Sequence, residues 1–479
     1  MEEHEHVLLA AFHVQSKRVR ALLHAGFMAW EPVNRPQKRQ QVSLLDVVAV
    51  TQRDTTFTLH HATQQTSVWR VSRTTFSATE PGVVATWTIE ISRQLNSHTH
   101  RPRRLLLFIN PFGGRRTALK VYERHVRPLL ELAGVRTEII VTQRPHEIKE
   151  TIEERPLQAF DSVACVGGDG TFAELFNGLV ARECRERNIA ISSITLPRPQ
   201  LPAAIIPAGS TNTVAFCLHG TDDPVTSALH LILGLRSDLD LCSVSCGDET
   251  RLYASVLSYG YLGDIARESE RLRWMGPRRY DYSGLRKFFR NRGYRGEVSV
   301  LPDISDPTAE TPKCFDECDR CASVEHDGAT TWHVIRGKFF MVSGANISCA
   351  CRRSPAGMSP TCHLGDGCVD VIVVQHTNIL NNLRLLLRLS SRHGGVSDLP
   401  FVRVVRARAF HFRTAGADDI ASGSTQPIAC DERVSVWNCD GEVLLQRDAF
   451  VRTHRQLLTV FRRPLSPPDT TIGCTICKS

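Results

Sequence analysis

Three short stretches combine glycine with polar residues between an apolar run and a helical pattern. They read NPFGG (110–114), GGDGT (167–171) and GST (209–211). A glycine-rich turn from a strand into a helix presents backbone N–H groups and the positive end of a helix dipole, which favour phosphate. Only the second turn carries an acid, Asp169, which would repel a bare phosphate. One such turn is a weak indication, since glycine turns are often purely conformational, but three close together predict a nucleotide site.

Each turn follows a predicted strand of one α/β segment. After Asp169, the spacing of Phe172, Leu175, Phe176 and Leu179 is that of one apolar helix face. Ligands bind at the carboxyl ends of strands in open parallel sheets, which is where these turns are predicted to lie. The predicted strands are LLLFIN (105–110), TEIIVT (137–142), SVACV (162–166) and AAIIPAG (203–209).

The segments on either side of this α/β region have a different pattern. Residues 1–98 contain short β-branched pieces, typical of a small antiparallel unit closed by a helix around Trp87. Residues 241–462 are rich in β-type segments such as LYASVLSYGYL (252–262) and carry an irregular, cysteine-rich insert over 302–331. We therefore predict domains over 1–98, 99–240 and 241–462, a mobile loop over 414–431 and a flexible tail over 463–479.

Composition restricts the class of protein. The 479 residues are 42% hydrophobic and 23% charged, as in folded soluble proteins, and the net charge of +8 suits nucleotides, nucleic acid or a lipid surface. The acidic start, MEEHEHVLLAAFHV, does not resemble a secretory signal, and no apolar run approaches a membrane span. Sixteen cysteines then read as reduced thiols or metal ligands. We expect an intracellular protein that at most lies on a membrane.

The motifs, in this order, resemble the nucleotide-binding half of the diacylglycerol kinase superfamily, which includes sphingosine and ceramide kinases. YGYLGDIARESERLRWMGPRRYDYSGLR, CACRRSPAGMSPTCHLGDG and WNCDGE are similar to the ceramide kinases in particular. Residues 1–98 resemble a pleckstrin-homology domain. The resemblance covers nearly the whole chain and implies an α/β nucleotide-binding domain and a β-rich (β-sandwich) lipid domain, with the active site in the cleft between them.

The resemblance also implies a reaction, in which an ATP- and Mg²⁺-dependent kinase phosphorylates the primary hydroxyl of ceramide to ceramide 1-phosphate. Asp169 matches the general base that accepts the hydroxyl proton; a cap of the following helix is the alternative. Substrate-binding residues are also implied: Gly167, Gly168 and Gly170 belong to the turn that faces the γ-phosphate and the lipid hydroxyl in this family, and Asp264 matches an acid near the phosphate and metal network. The residues implied at the ATP site are Asn110, Pro111, Phe112, Gly113, Gly114, Thr142, Glu174, Gly209, Ser210, Thr211, Arg273, Arg279, Asp440, Gly441 and Glu442.

Several alternatives stay open from the residues alone. Arg273 and Arg279 also suit solvated surface, and Asp440-Gly441 suits a hairpin turn. A sphingoid-base or diacylglycerol kinase is one rival, although sphingosine kinases place a second acid where this chain has Ala266. NAD kinases share only the GGDG turn. A non-catalytic ceramide-binding relative is the rival outside enzymes, and the intact Gly113, Gly114, Asp264 and HLGDG sequence weigh against it.

A cysteine cluster suggests a second kind of site. Cys314, Cys318 and Cys321 form a CxxxCxxC run, a spacing at which thiolates can share Zn²⁺. Free thiols packed in a loop are the alternative, and ceramide kinases carry the same cluster. The candidates for a fourth ligand are Cys349, Cys351, His326 and His333.

Two segments suggest a membrane surface. NILNNLRLLLRLSSRH (378–393) places Ile379, Leu383, Leu386 and Leu387 on one helical face among arginines. Such a helix binds Ca²⁺–calmodulin, lies on a membrane or packs on its own core. The pleckstrin-homology resemblance implies docking to anionic phospholipid or phosphoinositide through SKRVR (16–20) and RPQKR (35–39). We expect a cytoplasmic protein, peripheral on Golgi or plasma membrane, with no nucleic-acid partner.

Overall fold

The computed structural model describes residues 7–247, 249–276, 278–303, 314–322, 331–391, 395–414 and 434–464. The loop predicted over 414–431 and the tail predicted over 463–479 lie almost entirely outside these ranges, as does His326. Among the residues within them, no helix is both long and apolar enough to cross a membrane.

The N-terminal unit is a seven-stranded antiparallel sheet closed by one helix, as predicted. The helix, α1 (Pro81–Ser97), buries Trp87, whose ring meets the edge of Phe12 at 5.0 Å. The strands, in the sheet order β4-β3-β2-β1-β7-β6-β5, are β1 (Leu8–Val14), β2 (Lys17–His24), β3 (Phe27–Pro32), β4 (Gln40–Ser43), β5 (Val47–Arg53), β6 (Thr56–Gln65) and β7 (Val68–Ser77).

The nucleotide unit is a parallel sheet with helices on both faces. Its strands, in the order β9-β8-β10-β11, are β8 (Arg104–Ile109), β9 (Arg136–Val141), β10 (Ser162–Gly167) and β11 (Ala203–Pro207). Alternate residues of β8 enter different cores: Leu106 packs on one face and Leu105 on the other. The helices are α2 (Ala118–Val121), α3 (Arg127–Leu132), α4 (Glu147–Glu154), α5 (Asp169–Glu186), α6 (Thr213–His219) and α7 (Pro224–Leu233).

The β-rich unit follows, and its strands are β12 (Arg236–Cys246), β13 (Glu249–Tyr253), β14 (Val256–Gly260), β15 (Tyr294–Pro302), β16 (His333–Ala345), β17 (Val369–Gln375), β18 (Val402–Thr414), β19 (Trp437–Cys439), β20 (Glu442–Leu444) and β21 (Ala449–Phe461). Its helices are α8 (Tyr261–Arg271), α9 (Arg278–Arg290), α10 (Asp319–Ala322) and α11 (Ile379–Leu389). The segment 252–262, predicted as β-type, thus ends in the first turn of α8, because β14 stops at Gly260. The cysteine-rich insert, predicted as irregular, contains the short helix α10.

The last strand joins the two units into one sheet. β21 pairs antiparallel with β12 and β18 and meets β11 in parallel at Ala203 and Val460. The long strands β16 and β18 each pair with both β15 and β17 along different halves of their length. The nucleotide sheet is therefore completed by residues more than two hundred positions further along the chain, which no local pattern could predict.

The N-terminal unit is fastened to the nucleotide unit through α7. The Arg70 guanidinium donates to the Asp223 carboxylate at 2.7 and 3.1 Å, and the Trp69 N–H donates to Thr226 Oγ1 at 2.9 Å. Val48 and Ala62 share a core with strand β8. The two units therefore form one packed body along this side.

Candidate functional site

The three glycine turns meet backbone to backbone at the carboxyl edge of the parallel sheet. A Cβ at Gly209 would lie 2.6 Å from the Cα of Gly168, and one at Gly114 would lie 2.8 Å from the Cα of Gly209. Gly114 also has a φ of +53°, which side chains rarely adopt. Only glycine permits this approach, so each of the three turns fixes the position of the others.

A cleft of about 470 Å³ opens over these turns. It brings together residues of the nucleotide unit, the start of α9 and the β19–β20 hairpin. Arg116, Thr171 and Gly276 were missed by sequence reasoning, although each lies within or beside a quoted motif. The lining residues are Asn110, Phe112, Gly113, Gly114, Arg116, Gly168, Gly170, Thr171, Glu174, Ser210, Gly276, Arg279 and Glu442.

Asn110 organises the first turn and ties it to the second. Its Oδ1 accepts from the N–H groups of Phe112 at 3.0 Å and Gly113 at 3.1 Å, and its Nδ2 donates to Thr171 Oγ1 at 3.1 Å. An amide side chain that satisfies two backbone donors locks a turn locally. The NPFGG turn is therefore held rigidly against the GGDGT turn.

Asp169 lies where two helices begin. It is the first residue of α5, but its carboxylate accepts from the N–H groups of Thr213 at 3.0 Å and Val214 at 2.9 Å, at the start of α6. The predicted alternative, a cap of its own helix α5, is therefore replaced by a cap of α6. Burial raises the Asp169 pKa to about 6, the two backbone hydrogen bonds oppose the rise, and the nearby Asp440 adds to it.

The helix that Asp169 caps, α6, also contacts the β-rich unit. Cys217 lies on α6, and its Sγ is 3.3 Å from the Oγ of Ser348, the residue just before CACRRSP (349–355). Burial raises the pKa of Cys217 to about 11 and also raises that of Cys349, and the Asp169 charge adds to both shifts. Asp169 therefore lies at the start of a helix whose next turn contacts a segment that the sequence singled out in the second unit.

The charged residues that line the cleft are two acids, Glu174 and Glu442, and two arginines, Arg116 and Arg279. Burial raises the Glu174 pKa, while backbone N–H groups of His146 and Ile148 act against the rise. Glu442 pairs with Arg251 at 2.6 Å. Oxygen donors of this kind suit Mg²⁺. The Arg279 guanidinium lies 4.7 Å from the Tyr280 ring centroid, at the rim where an anion would need a cation.

Three predicted residues are engaged inside the protein and do not line the cleft. Thr142 is buried and donates to the Ile109 carbonyl at 3.3 Å. Asp440 accepts from the N–H groups of Ala254 and Val256, at 2.7 and 2.9 Å, and so holds the turn between β13 and β14. Asp264 is buried and accepts from Ser435 Oγ at 2.8 Å and from the Tyr294 hydroxyl.

The remaining predicted residues border the cleft without lining it. They are Pro111, Gly167, Asp169, Gly209, Thr211 and Gly441, all at or beside the turns described. Arg273 begins a 3₁₀ turn (Arg273–Met275) just before α9, and its side chain lies outside the described part of the chain.

The cysteine cluster has a different fourth member from those predicted. Donor atoms of Cys314, Cys318, Cys321 and His363 all lie within 4.8 Å of one another. Cys349 instead points its thiol at the Ile347 carbonyl, 3.2 Å away, and neither Cys351 nor His333 joins the group among the described residues. Sequence reasoning missed His363 because no local spacing connects it to the insert, although it lies within the quoted TCHLGDG sequence.

Comparisons with known proteins agree across most of the chain. A family described as "Diacylglycerol kinase catalytic domain" matches residues 104–244, and one described as "Ceramide kinase C-terminal domain" matches residues 256–477. Ceramide kinase of Homo sapiens is 37% identical over 82% of this chain and 80% of its own length. Ceramide kinase of Mus musculus is 36% identical over 82% and 81%, respectively.

A solved structure shares the fold. A putative diacylglycerol kinase from Bacillus anthracis str. Sterne superposes with a TM-score of 0.51 at 17% identity, covering 76% of this chain and 98% of that one. At this identity the likeness shows the architecture alone.

Proposed function

The chain belongs to the ceramide kinase family, and from that membership we propose that it transfers the γ-phosphoryl group of ATP to the primary hydroxyl of ceramide, giving ceramide 1-phosphate and ADP. The observation that carries the chemistry is the position of Asp169, within the glycine turns and at the start of α6, whose next turn contacts residues 348–350 of the β-rich unit. A nucleotide in the cleft and a lipid from the other side would meet at this carboxylate.

In the proposed step, Asp169 accepts the proton of the ceramide hydroxyl. The hydroxyl oxygen forms the new bond to the γ-phosphorus, and the bond from that phosphorus to the bridging oxygen of ADP breaks. A base is most effective when its pKa lies near the working pH. Burial, which raises the Asp169 pKa to about 6, brings it toward that range without keeping it protonated at neutral pH.

The cleft residues position the nucleotide. Backbone N–H groups of the glycine turns and the guanidinium of Arg279 suit the phosphates. Glu174 and Glu442 are the oxygen donors that would hold Mg²⁺, which when bound offsets the phosphate charge. Neither acid pairs with Arg279 among the described residues, so this arginine can face an anion.

The acceptor is proposed to be ceramide rather than a sphingoid base or diacylglycerol. Ala266 is buried in α8, two positions after Asp264, and places a methyl group where a second acid would meet a free amine. The human ceramide kinase-like protein is a more distant relative, 27% identical over 78% of this chain. A non-catalytic, ceramide-binding protein is the alternative outcome of the test.

The test is phosphate transfer from labelled ATP to ceramide, diacylglycerol and sphingosine in mixed micelles. We expect a clear preference for ceramide in the wild type and loss of transfer in Asp169→Asn with nucleotide binding retained. Transfer to diacylglycerol or sphingosine at the same rate as to ceramide would mean that the chain is a lipid kinase of broader substrate specificity. Ceramide binding without any transfer would support the non-catalytic alternative.

A surface beside the cleft suits the membrane in which ceramide lies. Two exposed apolar rows, each with i, i+3, i+7 spacing, run along α9 and α11, and Trp274, at 82% exposure, precedes the first row. The opposite side of α11 is buried in the protein, where it carries Leu385 and Asn382. We define the apolar face as Trp274, Tyr282, Leu285, Phe289, Leu380, Leu383 and Leu387.

A helix does form within 378–393, as α11 (Ile379–Leu389), but the four apolar residues predicted on one face divide between its exposed and packed sides. Leu383 and Leu387 face outward, whereas Ile379 and Leu386 pack on the core. Exposed Arg290 and Arg384 add positive charge to the apolar face. An apolar surface with arginines beside it favours binding to a membrane that contains anionic lipid. Calmodulin would have to pull α11 away from the core to enclose it, so we favour the membrane as the partner of this surface.

Vesicle binding tests this surface. The double variant Phe289→Glu/Leu387→Glu is expected to lose binding to phosphatidylcholine–phosphatidylserine vesicles while keeping transfer to a water-soluble short-chain ceramide. Ile194→Glu, which charges an equally exposed residue of the nucleotide unit, is the matched control. Wild-type vesicle binding by the double variant would refute the proposal, and Ca²⁺–calmodulin binding lost only in this variant would assign the face to calmodulin.

The remaining parts of the proposal concern domains and location. We propose that residues 1–98 form a pleckstrin-homology-like unit that docks to anionic phospholipid or phosphoinositide, that 99–240 bind ATP, and that 241–462 form a lipid-binding β-sandwich. Arg20 and Arg39, one from each predicted basic segment, border an open pocket on the N-terminal sheet, which Glu31, paired with Arg20 at 3.1 Å, also lines. The protein would then work in the cytoplasm, peripheral on Golgi or plasma membrane.

A further inference from the structure

Four donor atoms that could bind a metal, three thiol sulfurs and one imidazole nitrogen, converge in the β-rich unit, and none of their residues lines the cleft. The Sγ atoms of Cys314 and Cys321 are 3.8 Å apart, and the Nδ1 of His363 lies 3.5 Å from Cys318 Sγ and 3.7 Å from Cys321 Sγ. Cys318 and His363 are both about 2% exposed. Three thiols and an imidazole are the donor set of many structural zinc sites.

The spacing of these atoms fits a tetrahedral ion. With Zn–S near 2.3 Å and Zn–N near 2.05 Å, the edges of a tetrahedron are about 3.8 Å between two sulfurs and about 3.5 Å between sulfur and nitrogen. All four donors lie within 4.8 Å of one another, on the scale of these edges. A disulfide does not explain the cluster, since its sulfurs would be about 2.05 Å apart.

We propose that Cys314, Cys318, Cys321 and His363 bind one structural Zn²⁺. The ion would fasten the insert segment 314–322 to the loop 363–368, two parts of the chain that share no strand pairing. It supplies no reacting group and stands independently of the kinase proposal.

The surroundings show what the ion would hold together. The Cys321 carbonyl accepts from Arg455 Nη2 at 2.6 Å and Gln456 Nε2 at 2.8 Å, both on β21. The Gly367 N–H donates to the buried carboxylate of Asp240, on β12, at 2.6 Å. Because β12 and β21 join the β-rich unit to the nucleotide sheet, a metal at this position would stabilise the boundary between the two units.

The first test uses the full-length wild-type protein and needs no variant. We expect about one zinc per chain by elemental mass spectrometry, and after exchange into Co²⁺ the intense visible bands and thiolate charge-transfer absorption of a tetrahedral site. Folded protein with zinc far below one per chain that takes up no Co²⁺ would overturn the proposal. A Cys314–Cys321 disulfide found by mass mapping of freshly purified protein would also overturn it.

Variants then assign the ligands. Cys318→Ser and His363→Ala are expected to lose the tightly bound zinc, with metal affinity reduced at least tenfold. Cys351→Ser removes a partly buried thiol outside the cluster and should keep the metal. Zinc retained in His363→Ala but lost in Cys351→Ser would refute this ligand set. If a ligand variant does not fold, the Co²⁺ spectrum of the wild type still decides the site.

Discussion

Two aspartates at the beginnings of neighbouring helices have pKa values that are shifted in opposite directions. Asp223 caps its own helix α7 by accepting from the Thr226 N–H at 2.8 Å, and it is paired with Arg70 at 2.7 Å. Burial acts to raise the Asp223 pKa, but hydrogen bonds from Arg70 and Thr226 outweigh it and lower the pKa. Asp169 caps α6, and burial raises its pKa to about 6.

The difference lies in the presence of a cation. Both carboxylates accept backbone N–H groups at a helix start, which favours the charged form. Only Asp223 has an arginine partner within hydrogen-bond distance among the described residues. An acid that holds a helix and lacks a cation keeps the capacity to accept a proton near neutral pH, whereas an acid paired with arginine serves the fold.

The largest expected difference is in catalysis. Asp169→Asn should lower kcat about 10²–10⁴-fold, because a general base contributes that much, whereas Asp223→Asn should change kcat less than about twofold. Initial rates of ceramide phosphorylation with saturating ATP measure both. Equal losses in the two variants, with both proteins folded, would mean that Asp169 serves only as a helix cap.

The next largest expected effect is the loss of rate when the turn that holds Asp169 is displaced. In Gly209→Ala the new Cβ would lie 2.6 Å from the Gly168 Cα, so the turns must separate. A displacement near 1 Å can cost about 10²-fold in rate. Gly82→Ala in α1, where nothing lies within 4 Å of an added Cβ, is the control for kcat and KM. Full activity in Gly209→Ala would show that the close packing of the turns is not required.

The pH profile should show the raised pKa of Asp169. A base is active only when deprotonated, so kcat/KM should fall about tenfold per pH unit below about pH 6. Thermal unfolding midpoints over the same pH range separate this loss from unfolding. A fall in kcat/KM that begins only near pH 4, the ordinary range of an exposed carboxyl, would contradict a buried base.

The smallest effects are on stability. A carboxyl with a raised folded pKa contributes stability below its unfolded pKa near 4 that is lost as the pH rises through about 6. Ionisation of Asp169 should therefore lower the free energy of unfolding of the wild type between pH 5 and pH 8, on the order of 1 kcal/mol, and Asp169→Asn, whose amide does not titrate, should lack this fall. Asp223→Asn should lower the free energy of unfolding by about 0.2–1 kcal/mol, since it loses a partly exposed pair with Arg70. Denaturant unfolding at both pH values measures these effects, and an equal pH dependence in the wild type and Asp169→Asn would contradict a raised pKa at Asp169.

Much of the site was predictable from local sequence. The NPFGG, GGDGT and GST turns lie at strand ends, and parallel strands bring their carboxyl ends to one edge, so Gly114, Gly168 and Gly209 had to converge. Asp169 was recognisable as the one acid in such a turn. The helix around Trp87 and the four parallel strands also followed from apolar periodicity, which is a local property of the chain.

The tertiary structure decided which partners those residues meet. Asp169 caps α6 instead of its own helix, Asp440 holds the 254–256 turn instead of facing the cleft, and His363 joins cysteines of an insert more than forty positions away. Each of these outcomes depends on contacts between segments far apart in sequence, and β21 is the strand that aligns those segments. The sequence by itself determined the chemical groups and the local turns, because these depend on neighbouring residues. Burial, pairing and the pKa of each group depend on the packed units around it, and only the fold sets them.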